Sequence, residues 1–120
     1  MKYAGCIILL LIIAGCSGSE KATIVEDKAL TVFSDGEEYP SVASGNYFAT
    51  NNSGLTTIKD FTDGYDKKII TIIFRDDNTI VESNDSIVLM GELSFATIKG
   101  DALTLVKYDD TWEEVNRLLK

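Results

Sequence analysis

From Gly45 onward, short runs rich in β-branched residues are cut by turn clusters at a spacing of about 8 to 12 residues, a rhythm that only a chain of short strands can satisfy. Tyr47–Thr50 runs into Asn51-Asn52-Ser53-Gly54, Thr56–Phe61 into Thr62-Asp63-Gly64, and Ile69–Phe74 into Arg75-Asp76-Asp77-Asn78. Thr79–Glu82, Ile87–Met90, Ser94–Ile98 and Ala102–Tyr108 follow, each closed by its own polar or glycine-bearing turn. Most of these runs are too short for helices, and Val, Ile, Thr and aromatic side chains suit a pleated surface. The pattern predicts an all-β fold, a small antiparallel β-sandwich or roll, with a trimeric β-prism as the alternative arrangement.

Ile69–Phe74 is the most informative run. Ile70, Ile72 and Phe74 share one face, whereas Ile69 and Ile73 share the other with Thr71. Both faces therefore call for cover. Two readings follow: a central strand inside a two-layer core, or a strand whose second face meets another subunit. Leu103 and Leu105 alternate with Thr104 and Val106 in an ordinary half-buried pattern. Residues 111–120 are ambiguous, since Trp112, Val115 and Leu119 have helical spacing while Thr111–Val115 equally suits a final strand.

The chain has 120 residues, room for one core. Eleven basic against nineteen acidic side chains give a net charge of −8, which repels nucleic acid and anionic membrane surfaces. Charge therefore supplies no anchoring, and no nucleic-acid partner is expected.

The anchoring signal lies at the start. Met1-Lys2-Tyr3 is a short cationic segment, and Ala4–Ala14 is an apolar stretch closed by Ala14 and Gly15. A spanning helix needs about 20 apolar residues. This stretch is shorter, and the chain turns polar directly after Cys16. Ile13-Ala14-Gly15-Cys16 resembles the lipobox of bacterial lipoproteins, in which small residues admit the signal peptidase to the bond before a lipid-modified cysteine. The resemblance implies a signal-peptide helix over residues 1–15, acylation at Cys16 and attachment to a lipid bilayer through acyl chains of the palmitate type. An idle or buried thiol at the end of a signal or anchor helix is the plainer alternative for Cys16. Ser17 after the cysteine resembles the pattern exported to the outer membrane of Gram-negative bacteria, so the implied location is the cell envelope. Residues 16–38 read as a lipidated N-terminus and tether, because acidic residues and Gly36 interrupt the short apolar runs Thr23–Val25 and Ala29–Phe33. Pro40, the only proline, suits an edge or the start of a strand, which sets the β domain at residues 39–120.

Cys6 falls in the segment that processing removes, leaving Cys16 as the one cysteine, capped by lipid, and no disulfide. A small exported domain without such a staple relies on its own core or on association, so a homo-oligomer is a candidate partner. The chain contains no histidine, so the usual zinc sites, the serine triad and cysteine–histidine chemistry lack essential parts. No metal, no cofactor and no catalytic residue is expected. Asp60, Asp63 and Asp66, or Asp76, Asp77 and Asp85, offer oxygen ligands for calcium, but neither set has a defining loop spacing, and Asp and Asn bonding their own backbone in turns explain them better. A carboxylate pair for glycoside hydrolysis is chemically conceivable among so many acids. Tyr47, Phe48 and Tyr65 are candidates to stack on sugar rings, against the commoner packing role. Glu113 and Glu114 read as a solvated edge.

A second resemblance covers most of the domain. Gly45-Asn46-Tyr47-Phe48, Thr57–Phe61 with Gly64, Ile69–Phe74, Asn78-Thr79-Ile80, Ile87-Val88-Leu89 with Gly91, Gly100–Leu105 and Trp112–Arg117 are together similar to a β module. That module closes tailed-phage fibre, tailspike and appendage proteins, including those with a pectate-lyase-like body. It implies a role in folding, trimerisation or surface contact and no active site. Two departures stand out: a lipobox replaces the fibre body, and Asp66-Lys67-Lys68 occupies the place of a glycine-bearing turn. The reading that results is a membrane-anchored, non-enzymatic lipoprotein, encoded by a phage or prophage, whose β domain meets an envelope protein, a glycan or copies of itself. The alternatives are a carbohydrate-active enzyme or glycan-binding module using paired acids such as Asp76 and Asp85, and a phage lipoprotein that excludes superinfecting phage.

Overall fold

The computed structural model describes residues 30–120. The expected signal peptide, Cys16, the run Thr23–Val25 and the expected tether as far as residue 29 lie outside the described residues. Nine strands follow: β1 Leu30–Val32, β2 Tyr47–Thr50, β3 Thr56–Ile58, β4 Ile69–Phe74, β5 Thr79–Val81, β6 Ile87–Val88, β7 Phe95–Ala96, β8 Ala102–Tyr108 and β9 Thr111–Leu118. A 3₁₀ turn at Met90–Glu92 separates β6 from β7. The run Thr56–Phe61 pairs only as far as Ile58, after which Asp60 bonds the Phe61 amide and bends the chain. The ambiguous final segment is a strand, because β9 forms an antiparallel hairpin with β8 across Asp109-Asp110. Asp109 takes a positive φ of 55° in that turn, a conformation Asp tolerates.

The strands form two mixed sheets, one ordered β1-β2-β4-β8-β9-β6 and the other β3-β5-β7, packed as in a β-sandwich. The antiparallel expectation needs correction. β1 with β2, β2 with β4, β3 with β5, and β6 with β9 are parallel, and only β4–β8, β8–β9 and β5–β7 are antiparallel. The reason lies in the turns. Asn51–Leu55 does not fold the chain back as a hairpin but carries it across to the smaller sheet as β3, so the chain re-enters the larger sheet in its original direction. Tyr47 of β2 then stacks beside Thr71 of β4, 24 positions on, a crossover long enough for a parallel pair. The first part of the domain is thus a short parallel coil, and the β8–β9 hairpin closes it.

The core between the sheets holds Phe33, Val42, Phe48, Ile58, Phe61, Ile70, Ile72, Phe74, Val81, Ile87, Leu89, Phe95, Leu103, Leu105 and Trp112. Residues 30–38, which the sequence alone assigns to the tether, belong to this body. β1 pairs in parallel with β2, the Phe33 amide donates to the Ala49 carbonyl at 2.9 Å, and the Phe33 ring stacks on Phe48 at 5.0 Å. Burial of an aromatic ring there outweighs the acidic composition downstream. Pro40 is buried outside any strand, and its carbonyl accepts from the Thr62 amide at 3.0 Å.

Candidate functional site

The turns of the parallel coil bring side chains from successive turns into one ladder. Asp76, 8% exposed, accepts from the backbone amides of Asn52 and Asn78 and from the Thr79 hydroxyl, each at 2.8 Å. Asn52 in turn donates to the Thr79 hydroxyl and accepts from the Gly36 amide, both at 2.8 Å. One turn earlier Asp35 accepts from the Ser53 amide and hydroxyl. Burial raises the Asp76 pKa, but the bonds from Asn52, Thr50, Thr79 and Asn78 together outweigh it, and the carboxyl sits below its ordinary value. A general acid for glycoside hydrolysis needs the opposite shift. Asp76 is therefore a staple of the ladder, stabilised in its charged form. The other acids are dispersed in the same way: Asp63 accepts from the Ser41 hydroxyl, Asp66 from the Asp109 amide and Asp77 from the Lys99 amide. Asp85 is exposed at a different loop. No three His, Cys, Asp or Glu side chains converge on one point among the described residues.

The three aromatic candidates do not share a surface. Phe48 is fully buried in the core, Tyr47 points from the opposite face of the same strand, and Tyr65 lies in a turn with the Lys68 ammonium 4.9 Å from its ring centre. Glu114, expected at a solvated edge with Glu113, has its side chain buried instead. Its carboxylate takes a bidentate pair of bonds from Arg117 at 2.8 and 2.9 Å and one from the Met90 amide, while Arg117 lies over the Phe95 ring at 4.0 Å. Glu114 shares the inner face with Trp112 by ordinary alternation, and the extra residue Val115, bulged between the partners of Leu105 and Thr104, brings Arg117 to that face beside it. A shallow hollow of about 400 Å³ nearby is lined by Ser83, Asn84, Asp85, Val88, Glu92 and Thr111. The Asn84 side chain at its rim is already committed to the Lys59 carbonyl and to the Ser86 and Ile87 amides.

A further candidate surface is the outer face of the six-stranded sheet. The register places Leu30, Tyr47, Thr71, Thr104 and Asn116 in one row across five strands, and Val32, Ala49, Ile73, Ala102 and Leu118 in the next. A third row holds Ile69, Val106, Glu113 and Val88. Val32, Tyr47, Ile69 and Leu118 are 49%, 46%, 52% and 64% exposed, whereas Ala49 and Val106 in the same rows are buried. A solvated face of a sheet ordinarily carries polar residues, and this one carries a single charge, Glu113. The Thr71 and Thr104 hydroxyls bond each other at 3.0 Å in its centre. Ile69–Phe74 is a central strand of a two-layer core, with Ile70, Ile72 and Phe74 packed between the sheets, while Ile69 on its second face is exposed and Thr71 and Ile73 are half-buried. Sequence reasoning flagged Ile69 and Ile73, but missed their continuation into Val32, Tyr47 and Leu118, which depends on register.

No family model, no curated protein and no solved structure matches the chain.

Proposed function

We propose that this chain is a bacterial lipoprotein, phage- or prophage-encoded, that holds a small non-catalytic β domain at the cell envelope as an interaction module. The observation that carries the reading is Ile13-Ala14-Gly15-Cys16 at the end of an apolar stretch too short to span a bilayer. Acyl chains on Cys16 supply the membrane affinity that a net charge of −8 denies. Ser17 favours the outer membrane in a Gram-negative host. The interaction role is supported by the way polar groups are spent: the carboxylates serve turns and one buried ion pair, whereas an apolar sheet face is left open to solvent.

Metabolic labelling with an alkyne palmitate tests the anchor. The full chain takes up label and moves to the membrane fraction, and Cys16→Ser abolishes both. A cell-derived product with a bare Cys16 thiol, or with Met1 retained, by mass spectrometry refutes it.

A further inference from the structure

We infer that the outer face of the six-stranded sheet is an interface with a second copy of this chain, packed sheet on sheet. This rests on the interaction-module reading and names its partner. Charge is the first reason. Among the described residues Glu113 is the one acidic side chain within the three rows, so two copies of a chain carrying −8 meet little repulsion across this face. The hydroxyls of Thr71 and Thr104 are the second. By bonding each other they keep one partner each when water is excluded, which lowers the cost of covering the centre of the face. Size is the third. Five strands about 4.8 Å apart and three rows about 7 Å apart make a face of roughly 24 by 20 Å, and two such faces bury roughly 1,000 Å² in total, the lower bound for a specific interface.

Photo-crosslinking of the full chain in the producing cells tests this. Benzoyl-phenylalanine in place of Tyr47 yields an adduct of twice the chain mass, whose crosslinked peptide maps to β2, β4 or β8 of the other copy. The same probe at Ser53, on the ladder side, yields none. Ile69→Lys, introduced at a half-exposed position, reduces the Tyr47-site adduct at least tenfold, and unchanged emission from Trp112 verifies that it folds. Crosslinks to residues before Leu30 of the same chain, to lipid or to a different protein overturn the proposal, as does the absence of any adduct or an adduct indifferent to Ile69→Lys. Palmitate labelling of the same sample separates the two claims: a dimer adduct without label leaves the interface and removes the anchor, whereas label without the adduct removes the interface alone.

Discussion

Gly64 is where the core tolerates least. A methyl group at this position meets Trp112 Cζ2 at 2.4 Å and Cη2 at 2.9 Å, with Lys107 Cδ at 3.4 Å behind. Ordinary carbon contact begins near 3.5 Å, so something must yield by about 1 Å. The indole cannot retreat freely. It is fully buried, Phe61 meets it edge-on at 5.6 Å, and Lys107 lies 5.5 Å over its face. Overpacking of this kind costs about 1 to 3 kcal/mol, and a rigid ring at 2.4 Å places Gly64→Ala at the upper end. At about 4 to 8 °C per kcal/mol for a domain of this size, the melting temperature falls by roughly 10 to 20 °C. Circular dichroism gives the melt, and Trp112, the only tryptophan, reports its own displacement by fluorescence. Gly54→Ala is the control, since nothing lies within 4 Å of its added methyl. Trp112→Phe removes the outer ring atoms along with a buried indole N–H that has no partner among the described residues. The double variant therefore loses less than the two single losses combined, by about 1 kcal/mol or more. A Gly64→Ala melt within about 3 °C of wild type, or strict additivity with Trp112→Phe, refutes the contact as the cause.

Three further perturbations probe the turns and the buried ion pair. Asp76→Asn replaces a carboxylate oxygen with a donor facing donors, and costs about 2 to 4 kcal/mol by chemical denaturation. Because the folded-state pKa of Asp76 lies below its ordinary 3.8, its stabilisation is present above that pH and lost as pH falls through the folded value. The acid limb of a pH–stability curve is accordingly shallower in Asp76→Asn, and an unchanged limb contradicts the ladder's electrostatics. Lys67 stands at φ 71°, where a side chain is strained, so Lys67→Gly raises stability by about 0.5 to 1 kcal/mol in a urea titration; a loss refutes this. Arg117→Ala strands the buried Glu114 carboxylate and costs about 2 to 4 kcal/mol. Arg117→Lys recovers part of that loss but not the bidentate bond or the stacking on Phe95, and equal stability of Lys and Arg at this position contradicts the geometry.

Local chemistry written in the sequence accounts for most strand positions. Tyr47–Thr50, Ile69–Phe74 and Ala102–Tyr108 pair over their full predicted lengths, because β-branched runs bounded by Asn, Asp and Gly have few other conformations to adopt. In Asp66-Lys67-Lys68 the chain turns with Lys67 at a positive φ, a conformation its sequence does not announce by a glycine. The Glu114–Arg117 pair was illegible, since Glu114 shares a face with Trp112 by alternation but Arg117 joins that face only through the bulge at Val115. Phe33 was illegible too: acidic neighbours suggest a tether, and only its contact with Phe48 shows otherwise.

Alternation and turn residues alone thus set the all-β class, most strand positions and the two-sided apolar character of Ile69–Phe74. Strand direction, the stacking of Asn52 on Asp76 and the merging of exposed residues from five strands into one face were decided by the tertiary structure. These depend on which distant segments become neighbours. Periodicity fixes the face on which each side chain lies along its own strand, whereas the register between strands far apart in the chain is settled only by packing the whole core at once.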